Sequence, residues 1–399
     1  NIKNSKKRGD KVDKRYAKVF KPGAYPDLTY VTRMSGETKY TYEDRLKQSL
    51  SIDGYLTYIV GPSKTGKTVL CENVIGKEKM VPMSGNDFAK ENDFWAAVGK
   101  KVGLSMNAEV SRRNADFSES EERSTEVRKN YLGNKDIVID HFTESGKVLV
   151  LDDFHYASDK IQYDIACQLK EVIRLGFKAI VISLPYRSDD AIRLNPDLTG
   201  RISIIEIEPW KQRELEEIAR KGFCELGIEL EARLIERMAL ESINSPQLMQ
   251  SICLNIGLLP FDVEEITDEV IMESCRFTCN NFPYSDVVRV LKSGPPTRGQ
   301  KRLTYELQDG SRRDIYSIIL KAIADNPPRV EISFEHISKR VQKNVKNQKI
   351  TAKKIRDTLK NLQKIMDEQI PLYQVFEWKD DMIHILDALF LFYIRWMPF

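Results

Sequence analysis

Apolar positions along the 399-residue chain fall into two alternating patterns. Short, nearly continuous apolar runs rich in β-branched residues recur at YLTYIV (55–60), KMVPM (79–83), VLVLDD (148–153), AIVISL (179–184) and ISIIEI (202–207). Between them lie longer stretches with apolar residues at helical spacing. Strands apolar on both sides, separated by helices, predict an α/β domain over about 26–208, with a parallel five-stranded sheet covered on both faces. From PWKQRELEEIARKGF onward the pattern is helical and predicts a small lid, 209–292. SGPPTRGQ then breaks regular structure and marks a linker over 293–308.

Residues 309–399 read as helix (RRDIYSIILKAIAD), helix (SFEHISKRVQKN), helix (TAKKIRDTLKNLQKIMDE), extended segment (LYQVFEWKD) and helix (HILDALFLFYIRW). Three helices followed by a hairpin-like stretch are the order of a winged helix-turn-helix domain. The final helix is apolar on almost every side and must be buried. Residues 1–25 are polar, basic and without periodicity, so they read as an arm or linker. The charged stretch 112–130 is either a solvated loop or exposed helix, or an insertion that contacts a substrate or partner.

Composition adds little to this and charge adds more. With 41% hydrophobic and 30% charged residues the chain can bury a sizeable core. No apolar run approaches the roughly 18–20 residues that would span a bilayer, so no membrane partner is expected. Six scattered cysteines suggest a reducing compartment and a cytoplasmic location. Only Cys275 and Cys279 are close together, and without further Cys or His nearby they read as thiols rather than a zinc site. The net charge is +3, yet residues 1–20 hold 8 Lys/Arg against 2 Asp/Glu and residues 329–364 hold 11 against 3. Two basic poles point to nucleic acid or another anionic partner. The chain begins at Asn1 and ends in an apolar segment at Phe399, which leaves open a further piece at either end.

The chemistry starts at GPSKTGKT, 61–68, between the first apolar run and a helical segment. It fits G-x-x-x-x-G-K-[ST], the loop whose backbone N–H groups cradle phosphates. The nucleotide-binding candidates are therefore Gly61, Pro62, Ser63, Lys64, Thr65, Gly66, Lys67 and Thr68, with Val69 at the helix start. Lys67 reaches the β and γ phosphates, and the Thr68 hydroxyl holds Mg²⁺. In VLVLDDFH, Asp152 ends a buried strand where it can reach the metal, and Asp153 is placed to orient or activate water. His155 is either part of that site or a loop residue.

The order GPSKTGKT, VLVLDDFH, AIVISLPYRS, LTGRISIIEIEPW and then INSPQLMQSIC in a helical lid resembles the AAA+ and STAND branches of P-loop ATPases. It is particularly similar to the archaeal-type and origin-recognition-type members that end in a winged helix, over residues 28–399. The resemblance implies ATP and Mg²⁺ as ligands and Tyr30, Val31 and Arg33 as contacts to adenine. It implies a polar sensor at the strand end, Ser183 or Arg187, although Arg187 can equally pair with Asp189 or Asp190. Arg201 falls where relatives carry an arginine that reaches a neighbouring subunit's nucleotide, the alternative being an intrachain ion pair. Asn244, Ser245 and Pro246 resemble a proline-containing lid motif that senses nucleotide, without its usual glycine and without an evident lid arginine.

In the third helix of the C-terminal piece, Ile355, Leu359, Leu362 and Ile365 form a core stripe. Lys353, Lys354, Arg356 and Lys360 lie opposite it, with Lys346 and Lys349 just upstream. Such a face either meets DNA phosphates or is solvated on a module that locks the ATPase internally. The expected function is an ATP-driven switch whose nucleotide state controls homo-oligomerisation and a protein effector, a type that serves in antiviral defence in microbes. The alternatives are a DNA-loading initiator-like ATPase and a nucleotide-binding module without hydrolysis. A metabolic kinase is disfavoured by the architecture, and GTP by the absence of an N/T-K-x-D-like motif.

Overall fold

A computed structural model describes residues 14–85, 87, 93–105, 133–154, 157–184, 198, 200–297, 299, 301–370 and 374–397. The chain divides into a sheet unit, Thr32–Pro209, and a helical unit, Asn1–Val31 with Trp210–Phe399. Among the described residues no helix is long and apolar enough to cross a membrane.

The sheet unit is built on five strands, β1 (Leu56–Val60), β2 (Met80–Ser84), β3 (Val148–Asp152), β4 (Lys178–Ser183) and β5 (Ile202–Glu206), each within a residue or so of the apolar run that predicted it. Their order is β2-β3-β4-β1-β5 and every pairing is parallel. The alternation along β1 explains why the strands read as continuous apolar runs. Leu56, Tyr58 and Val60 join one buried cluster with Trp95, Phe142 and Phe177, whereas Ile59 joins a second with Leu46, Leu70 and Ile205. Both faces are therefore cores, and neither needs a polar residue. The helices of this unit include α2 (Tyr42–Ser51), α3 (Lys67–Ile75), α4 (Phe94–Lys101) and α5 (Asp159–Val172), with a further helix over 133–145.

The helical unit corrects two expectations. Part of the stretch read as an arm, residues 14–20, is ordered by packing: α1 (Lys14–Val19) buries Tyr16 and Val19, and Phe20 follows at 1% exposure. Their rings fill the space left by two glycines. A Cβ on Gly222 would stand 2.2 Å from the Phe20 ring, and one on Gly257 would stand 2.2 Å from Tyr16. Apolar residues at i, i+3 and i+4 made this helix legible in principle, but a segment rich in Lys and Arg masked it.

Second, the lid and the C-terminal piece share one core. The lid consists of α6 (Gln212–Glu225), α7 (Ala232–Glu241), α8 (Pro246–Ile256), α9 (Asp268–Cys279) and α10 (Ser285–Ser293). After the hairpin of β6 (Thr304–Glu306) and β7 (Arg312–Asp314), which interrupts the expected linker, come α11 (Ile315–Ile323), β8 (Glu331–Ser333), α12 (Phe334–Asn344), α13 (Ala352–Gln369), β9 (Phe376–Lys379), β10 (Met382–Ile385) and α14 (Ala388–Trp396). The last three strands form an antiparallel sheet of order β8-β10-β9. A single hydrophobic cluster runs from α1 through the lid to α14. Helix α14 is buried as its composition demands, with Phe390, Leu391 and Phe392 at 0% exposure. Glu241 on α7, itself fully buried, accepts from Arg395 Nε at 2.6 Å, Arg395 Nη2 at 2.8 Å and Trp396 Nε1 at 3.1 Å. A buried carboxylate persists only when so compensated, which ties α14 to the lid.

Candidate functional site

The C-terminal edge of the parallel sheet is where an open α/β sheet binds ligands, and the phosphate loop leaves β1 there. Val60, the last residue of β1, pairs with Ser183 on one side and Glu206 on the other. The loop must then pass close to the end of β5. A Cβ on Gly61 would lie 2.7 Å from the Ile207 carbonyl oxygen, so only glycine fits. Lys64 (φ 61°) and Gly66 (φ 87°) turn the chain through the left-handed region. Gly66 then caps α3 without a side-chain hydrogen bond, so the N-cap itself supplies no acceptor to the first N–H groups of this nine-residue helix. That arrangement is a phosphate cradle.

Lys67 is the charged centre of the cradle. Its Nζ donates to the Gly61 carbonyl at 2.8 Å and the Pro62 carbonyl at 2.7 Å, and the residue is 9% exposed. Burial pulls its pKa down to about 8, against the opposing charges of Asp152 and Asp153. The Thr65 hydroxyl also donates to the Pro62 carbonyl, at 2.9 Å, which closes the loop. Ser63, nominated with the rest of the loop, is exposed in the turn, and Val69 is half-buried in the first turn of α3. The loop is thus closed by Thr65 and not by the Ser63 hydroxyl, and what Ser63 offers a phosphate is its backbone N–H; Pro62 has none to offer. Thr68 donates to Asp152 Oδ2 at 2.5 Å, so two residues 84 positions apart in sequence place hard oxygen atoms side by side. Mg²⁺ takes such donors together with water and phosphate oxygens, and the pair fits it. The other Asp152 oxygen accepts from the Asp153 backbone N–H at 2.9 Å.

Asp153 occupies the left-handed region at φ 51°, uncommon for a non-glycine residue outside functional turns. Its carboxyl pKa is raised, first by burial and then by the charge of Asp152, with Lys67 opposing. A carboxylate raised in this way is a better proton acceptor than an ordinary one. Ser183 is buried at the end of β4, the strand between β1 and β3, and so lies on the same edge as the loop and Asp152. Behind the loop, burial pushes the Cys71 thiol well up and makes it inert.

Other nominated residues fall elsewhere. Arg33 is buried, with its guanidinium donating to the Glu208 carbonyl at 2.9 Å and the Pro209 carbonyl at 3.1 Å and lying 5.4 Å from the Tyr42 ring centroid. It pins the chain after β5 instead of presenting a free side chain. Tyr30 and Val31 belong to the helical unit: the Tyr30 carbonyl accepts from Lys221 Nζ at 2.8 Å, and Val31 packs on the large core. Pro246 is the first residue of α8, where its missing N–H costs nothing, and Ser245 caps that helix. Asn244 donates to the Trp210 carbonyl at 2.6 Å. Arg201 precedes β5, and since Leu56 pairs with Ile202 it lies at the opposite end of the sheet from the phosphate loop of its own chain. Arg187, His155 and the stretch 112–130 lie outside the described residues. Cys275 and Cys279 are buried thiols, and no metal-holding group of three or more acidic, His or Cys side chains exists among the described residues.

The basic face splits in two. Lys346 pairs with Glu306 at 3.1 Å, and Arg356 makes a two-pronged contact with Asp381, at 3.2 and 2.7 Å. Arg340, upstream on α12, is buried and donates to the carbonyls of Ala322, Ile323 and Pro327. Lys353 and Lys354 are exposed in the first turn of α13, Lys349 is exposed three residues ahead of it, and none of the three has an ion-pair partner among the described residues. The acidic partners are remote in sequence and were not legible from it. Asp380-Asp381, between two strand-like runs, was at least a visible turn signal.

The strand order, the loop after β1, its lysine and the carboxylate ending β3 together define the P-loop nucleoside triphosphatase fold. No protein-family model and no curated protein sequence matches the chain. Among solved structures it is similar to the Walker-type ATPase PABY2304 of Pyrococcus abyssi, at 14% identity over 89% of this chain and 94% of that one, TM-score 0.48. It is also similar to Cdc6p of Pyrobaculum aerophilum, at 14% identity over 94% and 95%, TM-score 0.44, and to the Aeropyrum pernix ORC2 protein, at 13% over 89% and 90%, TM-score 0.45.

Proposed function

We propose that the protein binds ATP and hydrolyses it slowly, and that nucleotide state controls its assembly and the engagement of a partner. The observation that carries the reading is the Thr68–Asp152 hydrogen bond beside a buried Lys67 that has no carboxylate bonded to it among the described residues. Loop amides, that of Ser63 among them, and Lys67 would hold the phosphates, and Thr68 and Asp152 would hold Mg²⁺, which supplies charge neutralisation on the triphosphate. Asp153, with its raised pKa, would orient water and take its proton. Ser183 would sense the terminal phosphate from the end of β4.

Homo-oligomerisation is part of the same reading. Arg201 stands at the far end of the sheet from its own loop, so a role on triphosphate falls to a neighbouring copy's site. Six free cysteines support a cytoplasmic location. Use in antiviral defence, and a protein effector, rest on the family resemblance alone. A second reading, duplex DNA binding of the initiator type, is favoured by the exposed Lys349 just ahead of α13 and Lys353 and Lys354 in its first turn. The order α11-β8-α12-α13-β9-β10 supports taking this piece as a winged helix, whose third helix would meet the duplex.

Mass photometry with ADP and with a slowly hydrolysed ATP analogue tests the first reading. The analogue should produce an assembly that ADP does not, and Lys67→Ala should abolish both the assembly and more than about 99% of triphosphate affinity. Assembly that persists unchanged in Lys67→Ala would remove the loop from control of it.

A further inference from the structure

The contact between Arg356 and Asp381 bears directly on the second reading, and this inference rests on it. Strands β9 and β10 are joined by two residues only, Asp380 and Asp381, since Lys379 pairs with Met382. Both have positive φ, 51° and 54°, as a tight turn of the primed kind requires. The tip is fixed in place, because Phe334 N–H donates to the Asp381 carbonyl at 2.8 Å. From there the Asp381 carboxylate grips Arg356 with both oxygens, while the guanidinium lies 3.7 Å from the centroid of the Phe334 ring. Arg356 and Lys360 together hold the Asp381 carboxyl below its usual pKa, Arg356 foremost through its hydrogen bond.

A planar, two-oxygen anion docked on a guanidinium is the same arrangement that a nucleic-acid phosphate makes with arginine. We infer that Asp381 occupies the phosphate position of Arg356, so that the acidic hairpin tip restrains duplex DNA binding to the lysines at the start of α13. Both residues of the tip are acidic, and a second DNA backbone would be repelled there. Binding through this face is therefore weak by construction, and one substitution releases it.

The full-length protein tests this by fluorescence anisotropy on a labelled duplex of about 25 base pairs, across a salt series. The native protein should show a log–log salt slope near −3, as three lysine contacts give, at about −0.9 each. Asp381→Asn keeps the turn, since Asn accepts positive φ, and frees Arg356. It should steepen the slope by about one and raise affinity roughly tenfold at low salt. Asp380→Asn removes an equal charge with no guanidinium to release, and should give a clearly smaller gain. Arg356→Gln added to Asp381→Asn should return binding to the native level. Equal gains from both Asn variants would reduce the effect to net charge, and a gain that survives Arg356→Gln, in which the net charge is back at its native value, would place its source away from that guanidinium; either would overturn the inference. Binding by the native protein with no gain in Asp381→Asn would overturn it alone. No binding by any of the proteins at about 50 mM salt would overturn the duplex reading with it.

Discussion

Each unit buries cations, and one from each, Arg395 and Lys67, are compensated differently. Arg395 in the helical unit faces a carboxylate squarely, with Glu241 accepting from two of its nitrogens, and a third bond runs to the Ala324 carbonyl. Lys67 in the sheet unit is bonded, among the described residues, to two neutral carbonyls, and its pKa falls to about 8. A buried charge that is fully paired holds structure together. Arg33 and Arg340 show that carbonyls can also hold a buried cation in a structural role; what sets Lys67 apart is its place in the loop at the ligand edge of the sheet, where an anion can reach it.

The largest expected effect tests the paired side. Glu241→Ala leaves Arg395 buried without its carboxylate and should cost the helical unit about 3–5 kcal/mol in urea unfolding. A loss below about 1 kcal/mol would mean that α14 and the lid are held by apolar packing alone, and the contrast with Lys67 would disappear.

The underpaired side predicts a pH dependence. Below about 8 Lys67 is charged and would meet phosphate under the proposed function; above it the neutral amine prevails. Triphosphate affinity should therefore be flat up to about pH 8 and then fall by as much as tenfold per unit, measured by calorimetry. Stability of the ligand-free protein should move the other way. The folded pKa is depressed from 10.5, so between about 8 and 10.5 the unfolded chain binds more protons and stability rises with pH. In Lys67→Met both trends should vanish.

The smallest effect concerns cations that are exposed and unpaired. Lys354→Gln should reduce the salt slope of duplex binding by about one and weaken it a few-fold, without changing thermal stability. The same substitution at Lys346, already paired with Glu306, should change binding less. Equal effects at the two positions would show that the ion pair opens freely in solution.

The phosphate-loop end of the sheet was nearly all legible, because its information is local. Gly61, Gly66, Lys67 and Thr68 sit at fixed spacing on one turn, and the strand ends that carry Asp152 and Ser183 were marked by apolar runs. Within the loop, spacing did not separate Thr65, whose hydroxyl closes the turn, from the exposed Ser63. The basic face was legible only as composition. Lys346, Lys349, Lys353, Lys354 and Arg356 look alike in the sequence, yet Glu306 and Asp381 remove two of them from the surface charge. Arg33 is a similar case, a candidate base contact by its place in the chain that folding commits to two backbone carbonyls.

By itself the sequence determined the five strands of the parallel sheet, most of the helices and the spacing of the loop, since periodicity and backbone permissiveness act over a few residues. The tertiary structure decided which charges are spent: Arg356 on the tip of a hairpin 25 positions away, Arg395 on a carboxylate 154 positions away. It also decided that α1 belongs to the helical core, because the two glycines that admit Phe20 and Tyr16 lie about 200 residues or more beyond it. Ion pairs and ring packing depend on distance in space, and no local pattern records that.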